Sequence, residues 1–329
     1  PGILRGDILM NLDSEDEGQL FIGCAGGTNA NAKFTYNEVD VPADMVACKI
    51  SVKGLLGGHS GCDIHLGRGN SNKIMFRLLY DASRLFGMRL ASIDGGSLRN
   101  AIPREAFAVV VVPSGKTGDF MKCVKDFNDI VKAEYATADP DVSVTAAPCD
   151  MPKKLIDEKT QKNLIYAIYA CPNGVRRMSS DMPGLVETSS SLAIVKSDKG
   201  EIEMKALLRS SVDSAKTSLE NMFRCVFELA GAEINFDGQY PGWKPNPDSS
   251  ILKQMTLSYE KLFGNKPEVM AIHAGLECGI IGGAYPALDM ISFGPTVKHP
   301  HSPDEAVEIS TVDKFWTFLK DTLKNAPKN

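Results

Sequence analysis

An apolar strand stands near the start of this chain with no neighbour in sequence to complete a sheet around it. Asp7 to Leu12 (DILMNL) reads as a short buried strand that stops at the acidic turn Asp13-Ser14-Glu15-Asp16-Glu17-Gly18. A second apolar stretch, Leu20 to Ala25, runs into Gly26-Gly27 and a polar segment. Matching elements come at the far end: helix Ser249 to Leu262, strand Val269 to Ile272, a glycine-rich turn, strand Leu288 to Phe293 and helix Thr311 to Leu323. Strands alternating with helices suggest a parallel sheet between helical layers. The economical arrangement returns the C-terminal segment to the N-terminal strand and leaves the middle inserted.

That middle has a different character. Short alternating strands, Val46 to Val52, Val109 to Val112 and Val142 to Thr145, interleave with amphipathic helices. Asn72 to Phe86 carries Ile74, Met75, Leu78, Leu79, Ala82 and Leu85 at helical spacing, and Phe120 to Tyr135 and Lys159 to Ala170 behave similarly. A second set begins near Leu185. There strand Leu185 to Val195 turns at Ser197-Asp198-Lys199-Gly200 into strand Glu201 to Leu208, and helix Ser214 to Leu229 follows. Two such rounds suggest a duplicated α/β layer, although no residue-level repeat is visible. Tyr240-Pro241-Gly242-Trp243-Lys244-Pro245-Asn246-Pro247 reads as a linker or domain boundary.

Composition narrows the function classes. A chain of 329 residues is long enough for two domains. Hydrophobic residues at 43% and charged residues at 23% are ordinary for a soluble globular protein. A formal charge of −5 argues against a nucleic-acid partner. The longest apolar run, Phe107 to Val112, is of strand length, far short of the ~20 residues that cross a bilayer. Eight cysteines without a CxxC pair argue against a zinc ribbon or a disulfide scaffold, and fit buried reduced thiols in a cytoplasmic protein. Pro1 stands in place of an initiator Met with no signal-peptide pattern after it, so an upstream segment is expected.

Several residues have the chemistry and setting of a site. Asp13 follows an apolar strand, where ligands of open α/β sheets bind, and its carboxylate suits zinc, manganese or cobalt; a turn aspartate or helix cap is the plainer reading. His301, in His299-Pro300-His301-Ser302-Pro303, also follows a buried strand, and imidazole is a common metal ligand; an exposed loop histidine is the alternative. Gly57-Gly58-His59-Ser60-Gly61 sets a histidine among glycines that permit close backbone approach, or simply a tight turn. Arg209 ends a strand and suits a carboxylate bound through two parallel hydrogen bonds, or a surface ion pair. Asn100 lies at a turn and suits capping. His273-Ala274-Gly275-Leu276-Glu277 reads as strand, glycine turn and helix start: its backbone donors suit an anion, and Glu277 either receives a substrate amine or caps the helix. No GxSxG, GxGxxG or Walker loop is present, which excludes the usual serine-hydrolase and nucleotide motifs.

Taken together, Asn11-Leu12-Asp13-Ser14-Glu15, Gly23-Cys24-Ala25-Gly26-Gly27, Gly57 to Ile64 (GGHSGCDI), Asn100-Ala101-Ile102-Pro103, His273 to Gly279 (HAGLECG) and Pro300 to Glu305 (PHSPDE) resemble a metallopeptidase family. It comprises aminoacyl-histidine dipeptidases, carnosinases, carboxypeptidase G and succinyl-diaminopimelate desuccinylase, and the bacterial aminoacyl-histidine dipeptidases are the nearest match. The motifs run in family order along the whole chain. The resemblance implies an α/β fold: a zinc-exopeptidase-like catalytic sheet with helices on both faces, incomplete here, interrupted by an inserted α+β lid that is duplicated. Residues 1–26 and 238–329 would be catalytic segments, and 27–237 a lid and dimerisation-type domain.

The resemblance further implies that Asp13 and His301 each bind one of two divalent metal ions, zinc foremost with manganese or cobalt as alternatives. His59 would stabilise the oxyanion, Arg209 would hold the substrate carboxylate, and Asn100, His273 and Glu277 would contact substrate. Two lid copies would bring His59 and Arg209 together within one chain. The implied activity is hydrolysis of Xaa-His dipeptides in the cytoplasm by a homodimer; an aminoacylase or carboxypeptidase, or a non-catalytic dimerisation or binding module, are the other readings. The family's remaining metal histidine, bridging aspartate and paired glutamates precede the Asn11–Glu15 motif. The twelve residues before Asp13 do not supply them. The chain is therefore expected to correspond to the C-terminal two-thirds of a longer enzyme, to hold metal weakly and to be inactive alone.

Overall fold

The computed structural model describes residues 2–299 and 304–327. Two sheets with separate cores organise them. The smaller has four strands in the order Ile8–Asn11, Asp289–Ser292, Gln19–Cys24 and Glu268–Ile272. The C-terminal segment thus does return to the N-terminal strand. Ile8–Asn11 runs parallel to Asp289–Ser292, and Glu268–Ile272 runs parallel to Gln19–Cys24. These two pairs meet antiparallel, Ser292 opposite Phe21, so the expected parallel sheet is a mixed one. The acidic turn explains why. Seven residues separate the first two strands, and a parallel crossover needs a dozen or more.

Helices cover both faces of this sheet. Ile291 and Phe293 pack with Leu20, Ile22 and the helices Ser250–Phe263 and Ile309–Asn325, while Met290 packs with Cys24, Trp243 and Cys278 at the start of Glu277–Ala284. Alternate residues of one strand point to opposite faces, so one four-residue strand serves both layers. Ser249 caps Ser250–Phe263 through the Leu252 amide. The Asp289 carboxylate, accepting from Ser249, Ser250 and the Ile251 amide at 2.6, 2.9 and 3.0 Å, fixes that helix end to the sheet.

The larger sheet is antiparallel. Its order is Ser143–Pro148, Met45–Lys53, Ala106–Pro113, Arg89–Gly95, Val186–Asp198, Glu201–Ser210, Gly26–Thr35 and Glu233–Tyr240, with Gly174–Met178 also paired to Val186–Asp198. Helices Ser71–Phe86, Thr117–Glu134, Glu158–Ala170 and Asp213–Leu229 share one core with it. Ser71–Phe86 buries Ile74, Met75, Leu78, Leu79 and Ala82, whereas Leu85 is 60% exposed despite its helical spacing. The helix starts at Asn70, whose side chain accepts from the Lys73 amide, and stops at left-handed Gly87.

The sheet falls into two halves of identical strand order. In one, the strands beginning at Met45, Arg89, Ala106 and Ser143 lie as fourth, first, third, second. In the other, those beginning at Gly26, Val186, Glu201 and Glu233 lie the same way when read from the opposite edge. Each half has a helix after its first and third strands. They meet through their second strands, Val195 opposite Gly95 and Lys196 opposite Asp94. The second set does not begin near Leu185 as the pattern suggests. It begins at Gly26, and the first half is nested inside it. Gly26–Thr35 escapes notice in the sequence because its buried residues at the alternating positions 30, 32 and 34 are Ala, Ala and Phe, too small a signal beside Asn29, Asn31 and Lys33.

The crossings between sheets lie side by side. Cys24 and Trp243 exchange backbone hydrogen bonds of 2.9 Å, and the Ala25 amide donates to Ile272 and Ala274 carbonyls at 3.1 and 3.0 Å. All eight cysteines are free; Cys24, Cys48, Cys171 and Cys278 are buried, but Cys62 and Cys225 are exposed. Among the described residues no helix is long and apolar enough to cross a membrane.

Candidate functional site

The His59 loop leaves strand Met45–Lys53 and is clamped before it reaches the histidine. Asp139, fully buried, accepts the Leu56 and Gly69 amides at 2.6 Å each, fixing both ends of the loop. His59 itself pairs with Ala101 across a two-residue ladder, and its amide donates to Asp63 at 2.8 Å. The imidazole Nδ1 accepts from the amides of Cys62 and Gly61, at 3.0 and 3.3 Å. A nitrogen that accepts carries no hydrogen, so in the neutral ring the proton sits on Nε2. Burial, then the charge of Arg209, pushes the His59 pKa below its ordinary value and keeps the ring neutral.

Arg209 lies at the end of strand Glu201–Ser210, between Ser189 and Gly27 of the neighbouring strands, and is 4% exposed. Nη1 donates to the Tyr240 hydroxyl at 3.1 Å. Nη2 faces Ser60 Oγ at 3.5 Å and His59 Nε2 at 3.4 Å. Because Nε2 carries its own hydrogen, that last contact sets two donors against each other, an arrangement that an anionic oxygen between them resolves. Arg209 Nε is buried with no partner, and among the described residues no carboxylate pairs with the guanidinium. An unpaired buried charge costs several kcal/mol. A buried guanidinium with a second donor beside it is chemically suited to an anion.

His273 reaches the same place from the smaller sheet, just past strand Glu268–Ile272. It is 5% exposed, and Nε2 shares a 2.7 Å hydrogen bond with Ser189 Oγ. Its carbonyl packs so closely on Gly61 that any Cβ there would collide with it. Burial first, then Arg209, drives its pKa down to about 3, so the ring is neutral at physiological pH.

The other residues singled out in the sequence lie apart from this trio or touch it indirectly. Asn100 is exposed, and its backbone carbonyl accepts the Ser60 amide at 2.8 Å. Glu277 is exposed in the first turn of its helix, where Leu276 is the N-cap, so the capping reading is corrected; it accepts from Asn11 Nδ2 at 3.2 Å. Asp13 is exposed two residues beyond strand Ile8–Asn11. His301 lies outside the described residues. Among those described, no group of three or more His, Cys, Asp and Glu side chains is arranged to hold a metal ion. The described donors therefore do not by themselves form a metal centre.

Tyr240, Ser60 and Ser189 were not legible as site residues. Tyr240 sits in what reads as a linker, and Ser189 in a strand whose four consecutive residues Thr188 to Ser191 are hydroxylated yet buried. A buried run of hydroxyls is itself unusual and is the signal that would have found it.

The dimerisation domain of peptidases matches residues 50–139, most of the nested half. The cytosol non-specific dipeptidase of Escherichia coli (strain K12) is 40% identical over 324 residues, 98% of this chain and 67% of that protein. Among solved structures, the aminoacylhistidine dipeptidase from Vibrio alginolyticus is 43% identical with a TM-score of 0.97, over 100% of this chain and 67% of that one. With an identity this high sustained from end to end, and with the mixed sheet, the nested halves and the motif order in place, this chain belongs to the metallopeptidase family of the cytosol non-specific, or aminoacyl-histidine, dipeptidases.

Proposed function

We propose that this site serves the metal-dependent hydrolysis of dipeptides of the Xaa-His type. The observation that carries the reading is the buried, unpaired guanidinium of Arg209 beside the Nε2–H of His59, at the junction of the two sheets. A dipeptide has one terminal carboxylate and one scissile carbonyl. Arg209 would take the carboxylate, and His59 would donate to the carbonyl oxygen as negative charge grows on it. His273, neutral and held by Ser189, would line the same cleft, with Asn100 and Glu277 as further substrate contacts. Two divalent ions, zinc foremost, would supply a polarised carbonyl and an activated water when bound. Asp13 and His301 are proposed as one donor each.

We read residues 27–237 as a lid inserted between catalytic segments 1–26 and 238–329. Its two halves would be copies of one α/β unit: the copy matching the dimerisation domain carries His59, and the other carries Arg209. One chain would then assemble a site that spans two such units. A homodimer in the cytoplasm is the proposed assembly, supported by the dimerisation-domain match and by the cytosolic relative.

Calorimetric titration with an Xaa-His dipeptide and with its C-terminal amide tests the reading. The acid is expected to bind more tightly than the amide, with the preference lost in Arg209→Ala. Equal binding of acid and amide by the unaltered protein would overturn it. Release of histidine that a chelator abolishes separates the hydrolase from the binding module, which takes up the dipeptide without cleaving it.

A further inference from the structure

We infer that Tyr240 is the positioning residue that sets the angle of the Arg209 fork and so determines its preference for a terminal carboxylate. The inference rests on the proposed carboxylate role of Arg209. Tyr240 is held through its backbone and through its ring. Its backbone pairs with Gly27, and its carbonyl accepts from Lys216 Nζ at 2.6 Å, a buried lysine that is itself paired with Asp213 at 3.0 Å. Its ring fills the space that side chains would take at two glycines. A Cβ at Gly27 would lie 2.6 Å from Cε1, Cζ and the hydroxyl, and one at Gly275 would lie 3.1 Å from Cε2. Gly27 is the second residue of strand Gly26–Thr35 in the larger sheet, and Gly275 follows His273 out of the smaller one. The ring is therefore wedged where the two bodies meet.

Among the described residues the hydroxyl is the one side-chain acceptor bonded to Nη1, and it leaves Nη2 facing Ser60 and His59. A guanidinium is planar, so fixing one terminal nitrogen fixes the plane in which the other donors point. Apolar packing alone would need only a phenyl ring. The phenol oxygen is what reaches the arginine.

Tyr240→Phe removes that oxygen and keeps the ring. Dipeptide and C-terminal amide binding are measured by titration calorimetry, alongside the thermal midpoint. The dipeptide is expected to bind about tenfold more weakly, as for loss of a hydrogen bond to a charged group. Amide binding should stay unchanged, so the acid-to-amide preference collapses, while the thermal midpoint falls slightly because a buried guanidinium loses an acceptor. Gly275→Ala, which pushes the ring without removing the oxygen, is expected to lower the preference in the same direction. If Arg209→Ala loses the preference while both of these variants keep it, Tyr240 is not a positioning residue although the carboxylate reading stands. If Arg209→Ala also keeps it, the carboxylate reading itself falls, and the role of Tyr240 with it.

Discussion

Ser189 Oγ and His273 Nε2 lie 2.7 Å apart, joining the larger sheet to the smaller one through a hydrogen bond that a neutral imidazole makes in a buried setting. Burial and the neighbouring charge of Arg209 act to keep His273 unprotonated. The folded protein does so down to a pKa of about 3, against 6.5 for a free side chain.

Stability should therefore depend on acidity through this residue. A group whose folded pKa is depressed leaves the unfolded chain as the better proton binder as pH falls. The stability due to neutral His273 is complete above pH 6.5 and is lost progressively from there towards 3, by about 1.4 kcal/mol per pH unit. Urea midpoints at pH 7.5 and 5 check this. Compared with the unaltered protein, His273→Gln is expected to lose about 2 kcal/mol less between those two values.

Arg209→Ala should weaken dipeptide affinity by about tenfold to a hundredfold, because a pair of charge-assisted hydrogen bonds disappears. Arg209→Lys should not restore it, since an ammonium group offers no planar fork to the carboxylate or to the Tyr240 hydroxyl. Full rescue by lysine would show that charge alone is needed.

In the metal-loaded enzyme, His59→Ala is expected to lower kcat by about 10²–10³-fold with a much smaller change in KM, the pattern of a donor used mainly in the transition state. Steady-state kinetics over a range of dipeptide concentrations separates the two constants. A change confined to KM would make His59 a ground-state contact.

Gly61→Ala tests the close approach of the two bodies. The new methyl meets the His273 carbonyl and crowds Arg209 Nε and Cδ at 3.0 and 3.1 Å. Overpacking of this kind costs about 1–3 kcal/mol and should displace the His59 loop. Thermal denaturation and dipeptide titration are both expected to register it, and a protein unchanged in both would mean the junction opens freely.

Sequence patterning was most informative where burial is one-sided. The strands at Met45 and Glu201 and all the long helices follow apolar spacing that survives in the structure, because each packs one face on a core; the strands at Ile8 and Gln19, covered on both faces, show instead as short apolar runs. It misled where two signals compete. Gly26–Thr35 looks like a polar loop because its outer face carries Asn29 and Asn31, bonded to Asp237 and Asn235. The trio of His59, Arg209 and His273 was legible as separate motifs. Tyr240 was not, because its role comes from two distant glycines that make room for a ring, and no local pattern encodes that.

The nesting of one half within the other orders events during synthesis. Strand Gly26–Thr35 leaves the ribosome early, but its partners Glu201–Ser210 and Glu233–Tyr240 follow only after the whole nested half has emerged. The inner half has all four of its strands and both helices contiguous in the chain, so it can close as a unit while the outer strand waits with both edges unpaired. A waiting strand with only one large inward residue, Phe34, and Asn, Asn and Lys on its other face is poorly suited to stick to a neighbouring nascent chain. The muted pattern that hides this strand from a reader thus also protects it during the interval before its partners arrive.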